Sequence, residues 1–189
     1  MSSPSTTRAA GRYSPFALFL HWIVAAMILV AWLIPQVTDL VGREERAIIM
    51  DLHRSIGVTV FALVLVRAAW RFVSPPPGLP AATPRIIRLA SHGGHAALYL
   101  LMLAVPALGM LFTWAAGHDI PVWGLTSLPA PFAPDGNLRE IFIDLHGLAA
   151  NAILALVGLH VAAALFHQYV LRDGLLARML PVRAQRARL

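Results

Sequence analysis

The chain has 189 residues, of which 58% are hydrophobic and only 13% are charged. A soluble domain has roughly 45–50% apolar and 25% charged residues, so this composition excludes an ordinary soluble enzyme. It also excludes a disordered chain, which needs low hydrophobicity. There is no cysteine, which excludes disulfides, thiolate metal sites and iron–sulfur clusters. The net charge of +6 comes from 15 arginines without a lysine, and on so apolar a chain it indicates membrane topology before nucleic-acid binding.

Four apolar segments are candidates for membrane-spanning helices, which need about 20 consecutive apolar residues. Three of them contain no arginine, aspartate or glutamate: residues 15–38, 96–117 and 145–171. The remaining one, residues 47–73, is less clean because Asp51, Arg54 and Arg67 interrupt it. An arginine near the end of a span can extend its charged group to the membrane surface. The sequence therefore predicts an all-α membrane protein built as a four-transmembrane-helix bundle.

Charge predicts how the helices are oriented. Most of the arginines fall in the N-terminal tail, the second loop and the C-terminal tail, and short positive loops face the cytoplasm. Nearly all acidic residues fall on the opposite side, together with the longest loop, residues 117–137. We therefore predict that both termini face the cytoplasm. Residues 1–12 and 182–189 are the predicted tails, around one domain over residues 13–181.

Four of the eight histidines form a pattern. His146 and His160 are fourteen residues apart in the last span, close to four helical turns, so they share a face. Along the helix axis they are roughly 21 Å apart. By depth, His53 in the second span matches His146, and His21 in the first span matches His160. The sequence thus predicts two histidine pairs, one above the other inside the bundle.

Two imidazoles that face each other across a bundle core suit an iron porphyrin between them, because neutral imidazole binds iron. Imidazole ligands on both sides favour electron transfer over oxygen binding. Without a C-x-x-C-H sequence the haem is b-type, held by ligation and packing. Small residues near the ligands leave room for it: Gly57, Gly147 and Gly158. We predict two b haems whose axial ligands are His21, His53, His146 and His160.

Other interpretations of these histidines exist. A hydrogen-bonded core residue or a proton relay explains any single membrane histidine. Zinc and copper sites usually gather three or four ligands at one depth, often with carboxylates, which these histidines do not. A transporter or proton channel that uses the histidines as a relay is an alternative. An absorption spectrum distinguishes the two, because a cytochrome shows haem bands on reduction.

Further residues near the pairs are open to two interpretations each. His95 is a candidate for bonding a haem propionate, while His92 is interpreted as solvated. His167 lies beyond His160 on the same stripe, and either binds or protonates a quinone or is an ordinary interfacial histidine. Trp22 lines the His21 pocket or is an interfacial tryptophan. Arg54 pairs with a propionate or attracts a small anion. Four arginines are interpreted as topology determinants: Arg67, Arg71, Arg85 and Arg88.

Four stretches of the sequence resemble the bacterial cytochrome b561 family. They are RYSPFALFLHW at 12–22, DLHRSIG at 51–57, SHGGHAALYLLMLAVPALG at 91–109, and the segment at 145–181. The likeness extends over residues 12–181. It implies a four-helix inner-membrane protein with two b haems, whose ligands correspond to His21, His53, His146 and His160.

The resemblance also implies exchange of electrons with ubiquinone near the cytoplasmic haem, and family members are linked to oxidation of periplasmic superoxide. We therefore expect an electron to enter at the haem of His53 and His146 and to leave from the other haem to ubiquinone. His167 or His95 is then the proton donor. Related cytochromes anchor hydrogenases or dehydrogenases, so a redox protein is the alternative donor. We also expect the protein to contact membrane lipid and to bind no nucleic acid. We expect it to be a monomer or a homodimer.

Overall fold

Four long α-helices dominate the computed structural model, which describes residues 11–79 and 83–180. They are α1 (Pro15–Val37), α2 (Arg43–Val73), α3 (Arg85–Ala115) and α4 (Gly136–Phe166). Each is long and apolar enough to cross a membrane, so the predicted four-helix membrane architecture is confirmed. Apart from residues 11 and 12, the two predicted tails lie outside the described residues.

Two of the helices begin well before the apolar runs that predicted them. Helix α3 begins at Arg85 rather than at residue 96, and α4 begins at Gly136 rather than at residue 145. Hydropathy detects only the part of a helix that lies in hydrocarbon, whereas backbone hydrogen bonding continues into the polar interface. As a consequence His95 lies well inside α3 and not at its start.

Capping residues set where α1 and α4 begin. The Ser14 hydroxyl accepts the Ala17 N–H at 3.3 Å, and the following proline lies in the first turn, where its missing N–H costs nothing. The Asp135 carboxylate accepts the Leu138 N–H at 3.0 Å. Both side chains satisfy N–H groups that a helix leaves without an internal partner.

The helices run alternately up and down, with α1 packed on α2, α2 on α3 and α3 on α4. The buried core lies mainly between α1 and α2: Val24, Ile34, Ile56, Val60 and Val64. Among the described spans, α4 packs closely along α3 but approaches α1 and α2 only sparsely. Helix α4 therefore faces α1 and α2 across a space that the histidines described below bridge.

A short β-hairpin between α3 and α4 is the β-structure of the described residues. Its strands are β1 (Ile120–Val122) and β2 (Thr126–Leu128), which pair antiparallel. Trp123 and Gly124 both have positive φ, as a tight hairpin turn requires. The buried Ser55 hydroxyl of α2 accepts the Trp123 N–H at 2.9 Å and lies 3.1 Å from the Pro121 carbonyl oxygen. The hairpin is thereby fastened to α2, and we call this end of the bundle the hairpin end.

At the opposite end, called the terminal end, α1 begins and α4 ends. A π-helical turn (His167–Leu171) follows α4, and Arg172 adopts left-handed backbone that redirects the chain. Two hydrogen bonds attach the segment that follows: Trp22 Nε1 to the Met179 carbonyl (2.9 Å) and Arg178 to the Gly78 carbonyl (3.0 Å). Residues 172–180 therefore fold back against α1 and the connection between α2 and α3.

Candidate functional site

His53 of α2 and His146 of α4 face each other toward the hairpin end. Their ring centroids are 6.2 Å apart, with the ring planes at 77°. His53 Nδ1–H donates to the Ala31 carbonyl at 2.9 Å, and His146 Nδ1–H donates to the Val105 carbonyl at 2.9 Å. Because Nδ1 carries the proton in this arrangement, Nε2 of each ring keeps the lone pair that binds metals.

His21 of α1 and His160 of α4 form the second pair, toward the terminal end. Their ring centroids are 6.4 Å apart, with the ring planes at 65°. His95 of α3 lies beside them, with its ring centroid 5.4 Å from that of His160 and its Nδ1–H donating to the Ser91 carbonyl at 2.6 Å. The structure thus brings together both predicted pairs and places His95 against the second one.

The separation of the rings fits a metal ion between them. Metal–imidazole nitrogen bonds are about 2 Å long, so an ion held by two facing rings sets their centroids roughly 6 Å apart. Both pairs have this separation. In the described residues no three side chains of His, Cys, Asp or Glu are grouped to hold a metal ion, so each pair offers two ligands. Two axial imidazoles are the ligand set of an iron porphyrin in an electron carrier.

Small residues near the ligands leave space that a flat cofactor requires. A Cβ added to any of three glycines would meet no other atom within 4 Å: Gly57, Gly147 and Gly158. Helix α4, which carries one histidine of each pair, approaches the helices of their partners, α1 and α2, only sparsely. The residues present therefore fit a b-type haem at each pair.

Gly109 of α3 permits the close approach of His146, and sequence reasoning did not single it out. A Cβ at this position would lie 3.1 Å from Cε1 and 3.2 Å from Nδ1 of His146. Both distances are shorter than ordinary van der Waals contacts. Because Gly109 has no side chain, the His146 imidazole can reach the Val105 carbonyl, which like Gly109 belongs to α3. The sequence signal is only the four-residue spacing of Val105 and Gly109, which places them on one face.

Arg54 follows His53 and has one unsatisfied donor. Its guanidinium contacts the Asp51 carboxylate at 2.5 Å. Its Nε is buried and has no hydrogen-bond partner among the described residues. Leaving a buried charged donor without an acceptor is costly, so this atom indicates an acceptor supplied by a bound group. A haem propionate or a small anion both provide one, and these are the two roles predicted for Arg54.

A cavity of about 440 Å³ opens beside Arg54 at the hairpin end. It carries charges of both signs and lies between α2 and the residues around the hairpin. Its lining consists of Asp51, Arg54, His118, Asp119, Pro121 and Ser127.

Arg67 of α2 lies near the second pair, although the sequence suggested only a role in topology. Its Nε donates to the Tyr99 hydroxyl at 3.0 Å, and its guanidinium lies 5.9 Å from the centre of that ring. Its positive charge acts on the three histidines at this depth: His21, His95 and His160. Arg67 follows His53 by fourteen residues, the spacing that also relates His146 and His160. That repeat could have placed Arg67 on the inner face.

His167 begins the π-helical turn and is held by Asp173. Its Nδ1–H donates to Asp173 Oδ2 at 2.5 Å, and the other carboxylate oxygen accepts the Leu175 N–H at 3.1 Å. Partial burial alone would raise the pKa of Asp173, but these two hydrogen bonds and the charges of His167 and Arg178 outweigh burial and hold the pKa below its ordinary value. Asp173 is therefore an anion that orients the imidazole.

A second cavity, of about 420 Å³, lies on the π-helical turn at the terminal end. Its lining consists of Gln168, Tyr169, Arg172, Gly174 and Ala177. π-Helical turns are rare and occur frequently at functional sites. The turn, the cavity and the neighbouring His167 together make this end a candidate binding region.

Three remaining residues have simpler surroundings. The Trp22 ring centroid is 5.1 Å from that of His21, and its indole N–H bonds the Met179 carbonyl, so it contacts the pair and also anchors the chain after α4. His92 is exposed and bonds the carbonyl one turn earlier in its own helix. His118 is exposed and lines the cavity at the hairpin end.

Comparison with known proteins gives a match over nearly the whole chain. A family model described as prokaryotic cytochrome b561 matches residues 12–182. "Probable superoxide oxidase CybB" of Yersinia pestis is 32% identical over 173 residues, which are 90% of this chain and 96% of the relative. "Cytochrome b561 homolog 2" of Escherichia coli is 34% identical over 182 residues, 93% and 95% of the two chains. "Cytochrome b562" of Cereibacter sphaeroides is 34% identical over 174 residues, 89% and 94% of the two chains.

We expect Gly109→Val to weaken haem binding, because the new side chain would occupy the space of the His146 imidazole. Changes to groups around a metal ligand cost roughly 10- to 100-fold in metal affinity. Haem per purified chain, measured by absorption, should therefore fall. Gly136→Ala is the matched control, since a Cβ there meets nothing within 4 Å. Equal haem content in the two variants would contradict the role given to Gly109.

Proposed function

The chain belongs to the prokaryotic cytochrome b561 family, and on that premise we propose that it transfers electrons across the bacterial inner membrane from superoxide to ubiquinone. The family consists of membrane cytochromes with b-type haem that act in electron transfer. The observation that carries the proposal is the pair of facing histidines at each of two depths, with centroids 6.2 and 6.4 Å apart.

In this proposal His53 and His146 hold one haem, and His21 and His160 hold the other. Bound there, haem supplies one-electron carriers at two levels of the membrane. The chain contributes the position of the ligands, because α4 carries His146 and His160 roughly 21 Å apart along its axis. Two imidazoles from the chain would hold each haem, a ligand set that favours electron transfer over oxygen binding.

The donor site in this proposal is the cavity at the hairpin end. Arg54 supports an anionic donor, because its guanidinium lines the cavity next to the ligand His53. The name of the Yersinia pestis relative supports superoxide as that anion. The hairpin end carries most acidic residues and few arginines, which by the positive-inside rule supports a periplasmic location for it. Both termini are then cytoplasmic.

Quinone reduction in this proposal takes place at the terminal end, near His160. His167 is the proposed proton donor. Its Nδ1 is engaged by Asp173, so Nε2 is the nitrogen free to bond a quinone carbonyl. With Nδ1 held by Asp173, a proton on Nε2 can be delivered to a quinone carbonyl bonded there. His95 is the alternative donor, while Trp22 lines the space beside His21.

A second candidate function is that of a cytochrome subunit that passes electrons from a dehydrogenase or hydrogenase to quinone. One observation favours it. Two carboxylates, Asp51 and Asp119, line the donor cavity with Arg54, and Asp51 directly pairs with that arginine. These charges weaken the attraction of a small anion, whereas a protein donor does not need an anion site.

We predict that His146→Ala removes one haem and leaves the other, because His21 and His160 form a separate pair. Haem per chain and the reduced-minus-oxidised spectrum measure this directly. His160→Ala is the matched variant and should remove the other haem. Loss of neither haem in His146→Ala would contradict the pairing, and an unsubstituted protein without haem bands would contradict the cytochrome function.

Asp51→Asn should accelerate reduction of the protein by superoxide by roughly threefold, because Arg54 then keeps its full positive charge toward an anion. Arg54→Gln should slow the same reaction. Rapid-mixing absorption spectroscopy gives both rates, and Glu140→Gln serves as a control that removes an acid at the same end outside the cavity lining. Identical superoxide rates in all variants would favour the protein donor instead.

His167→Phe should slow reoxidation of the reduced protein by a soluble ubiquinone analogue by roughly 100-fold, since general acid catalysis contributes that much. Reduction from the hairpin end and the absorption spectrum should not change. His92→Phe is the control, because His92 is an exposed histidine of the same end. If both variants reoxidise at the unsubstituted rate, His167 is not the proton donor.

A further inference from the structure

Pro35 lies in α1, four residues after Ala31. In an α-helix the N–H of each residue donates to the carbonyl four residues earlier. Proline has no N–H, so the Ala31 carbonyl receives no hydrogen bond from that position of α1. A carbonyl inside a membrane span needs a partner because the hydrocarbon supplies none.

His53 of α2 provides that partner. Its Nδ1–H donates to the Ala31 carbonyl at 2.9 Å. The Ala31 carbonyl is therefore an acceptor at the depth of the first pair. Residue 35 of α1 has no N–H that would compete with His53 for it. The same carbonyl fixes which nitrogen of His53 carries the proton and so leaves the lone pair on Nε2.

The partner of His146 has a different environment. His146 Nδ1–H donates to the Val105 carbonyl, also at 2.9 Å. Four residues later in α3 stands Gly109, which has an N–H, so the helix competes for this carbonyl. Pro106 of the same helix leaves the Met102 carbonyl without its usual N–H donor, and in the described residues no histidine donates a hydrogen bond to that carbonyl. At the other pair, neither His21 nor His160 donates to a backbone carbonyl among the described residues.

We infer that Pro35 is a positioning residue, which reserves the Ala31 carbonyl for His53 and thereby lowers the reduction potential at the pair of His53 and His146. A stronger hydrogen bond at Nδ1 makes the imidazole a more basic ligand. A more basic ligand stabilises the oxidised iron relative to the reduced iron. The inference rests on the proposed function, because it takes His53 as a haem ligand.

The test is a redox titration of the purified haem-loaded Pro35→Ala variant, which restores an N–H that competes for the Ala31 carbonyl. The potential of the haem that His53→Ala abolishes should rise, by roughly a three- to tenfold change in its redox equilibrium constant, tenfold being about 59 mV for one electron. The potential of the other haem should stay the same. The ferric electron paramagnetic resonance (EPR) signal of the first haem should shift with its potential.

Pro106→Ala is the matched control, because it restores an N–H toward Met102, which has no histidine partner. Because the Pro106 nitrogen shares a peptide bond with the Val105 carbonyl that His146 contacts, this variant should shift the potential of the first haem less than Pro35→Ala does. Pro35→Gly also restores the N–H, so it should shift the potential of the same haem as Pro35→Ala does. Glycine differs from alanine in having a lower helix propensity. Pro35→Gly replaces Pro35→Ala if that variant does not fold.

The outcomes separate the two proposals. An unchanged potential in a Pro35 variant that keeps both haems overturns the inference and leaves the proposed function intact. Equal shifts in Pro35→Ala and Pro106→Ala also overturn it, because the cause is then straightening of a helix. An unsubstituted protein with fewer than two haems overturns the proposed function itself.

Discussion

The bundle depends on imidazole rings that face each other in the membrane interior. A polar ring there is stabilised by partners on its nitrogens, because lipid offers no hydrogen bonds. For His53 and His146 the backbone satisfies Nδ1, through the carbonyls of Ala31 and Val105. Nε2 of each ring then keeps the lone pair that the proposed haem iron would bind. Two backbone features permit this: the missing N–H of Pro35 and the missing side chain of Gly109.

This constraint also explains the uneven packing of the four helices. Residues that would close α4 onto α1 and α2 would fill the space between the paired rings, so α4 is held mainly by α3. The two ends are covered by segments outside the spans. Ser55 fastens the hairpin at one end, and Trp22 anchors the chain after α4 at the other. The segments that cover the two ends also line the two cavities.

Hydropathy predicted the number of helices, because a span requires a long apolar run, and the fourteen-residue spacing predicted which histidines share a face. Hydropathy did not predict the early starts of α3 and α4, because helical hydrogen bonds continue beyond the hydrocarbon into the polar interface. The Ser55 contact with Trp123 joins residues far apart in sequence and leaves no local pattern. The position of Arg67 on the inner face could have been predicted, since it lies fourteen residues after His53. An arginine near the end of a span is, however, usually a topology signal. The donor is a small molecule or a protein surface, which no motif specifies.

The most direct test of two separate electron carriers in one chain is a redox titration of the purified protein, followed by absorption and low-temperature EPR. We predict two one-electron transitions per chain, each with the low-spin ferric signal of iron held by two imidazoles. A single transition, or a high-spin signal from iron with an open axial position, would contradict the assignment of four histidines to two haems.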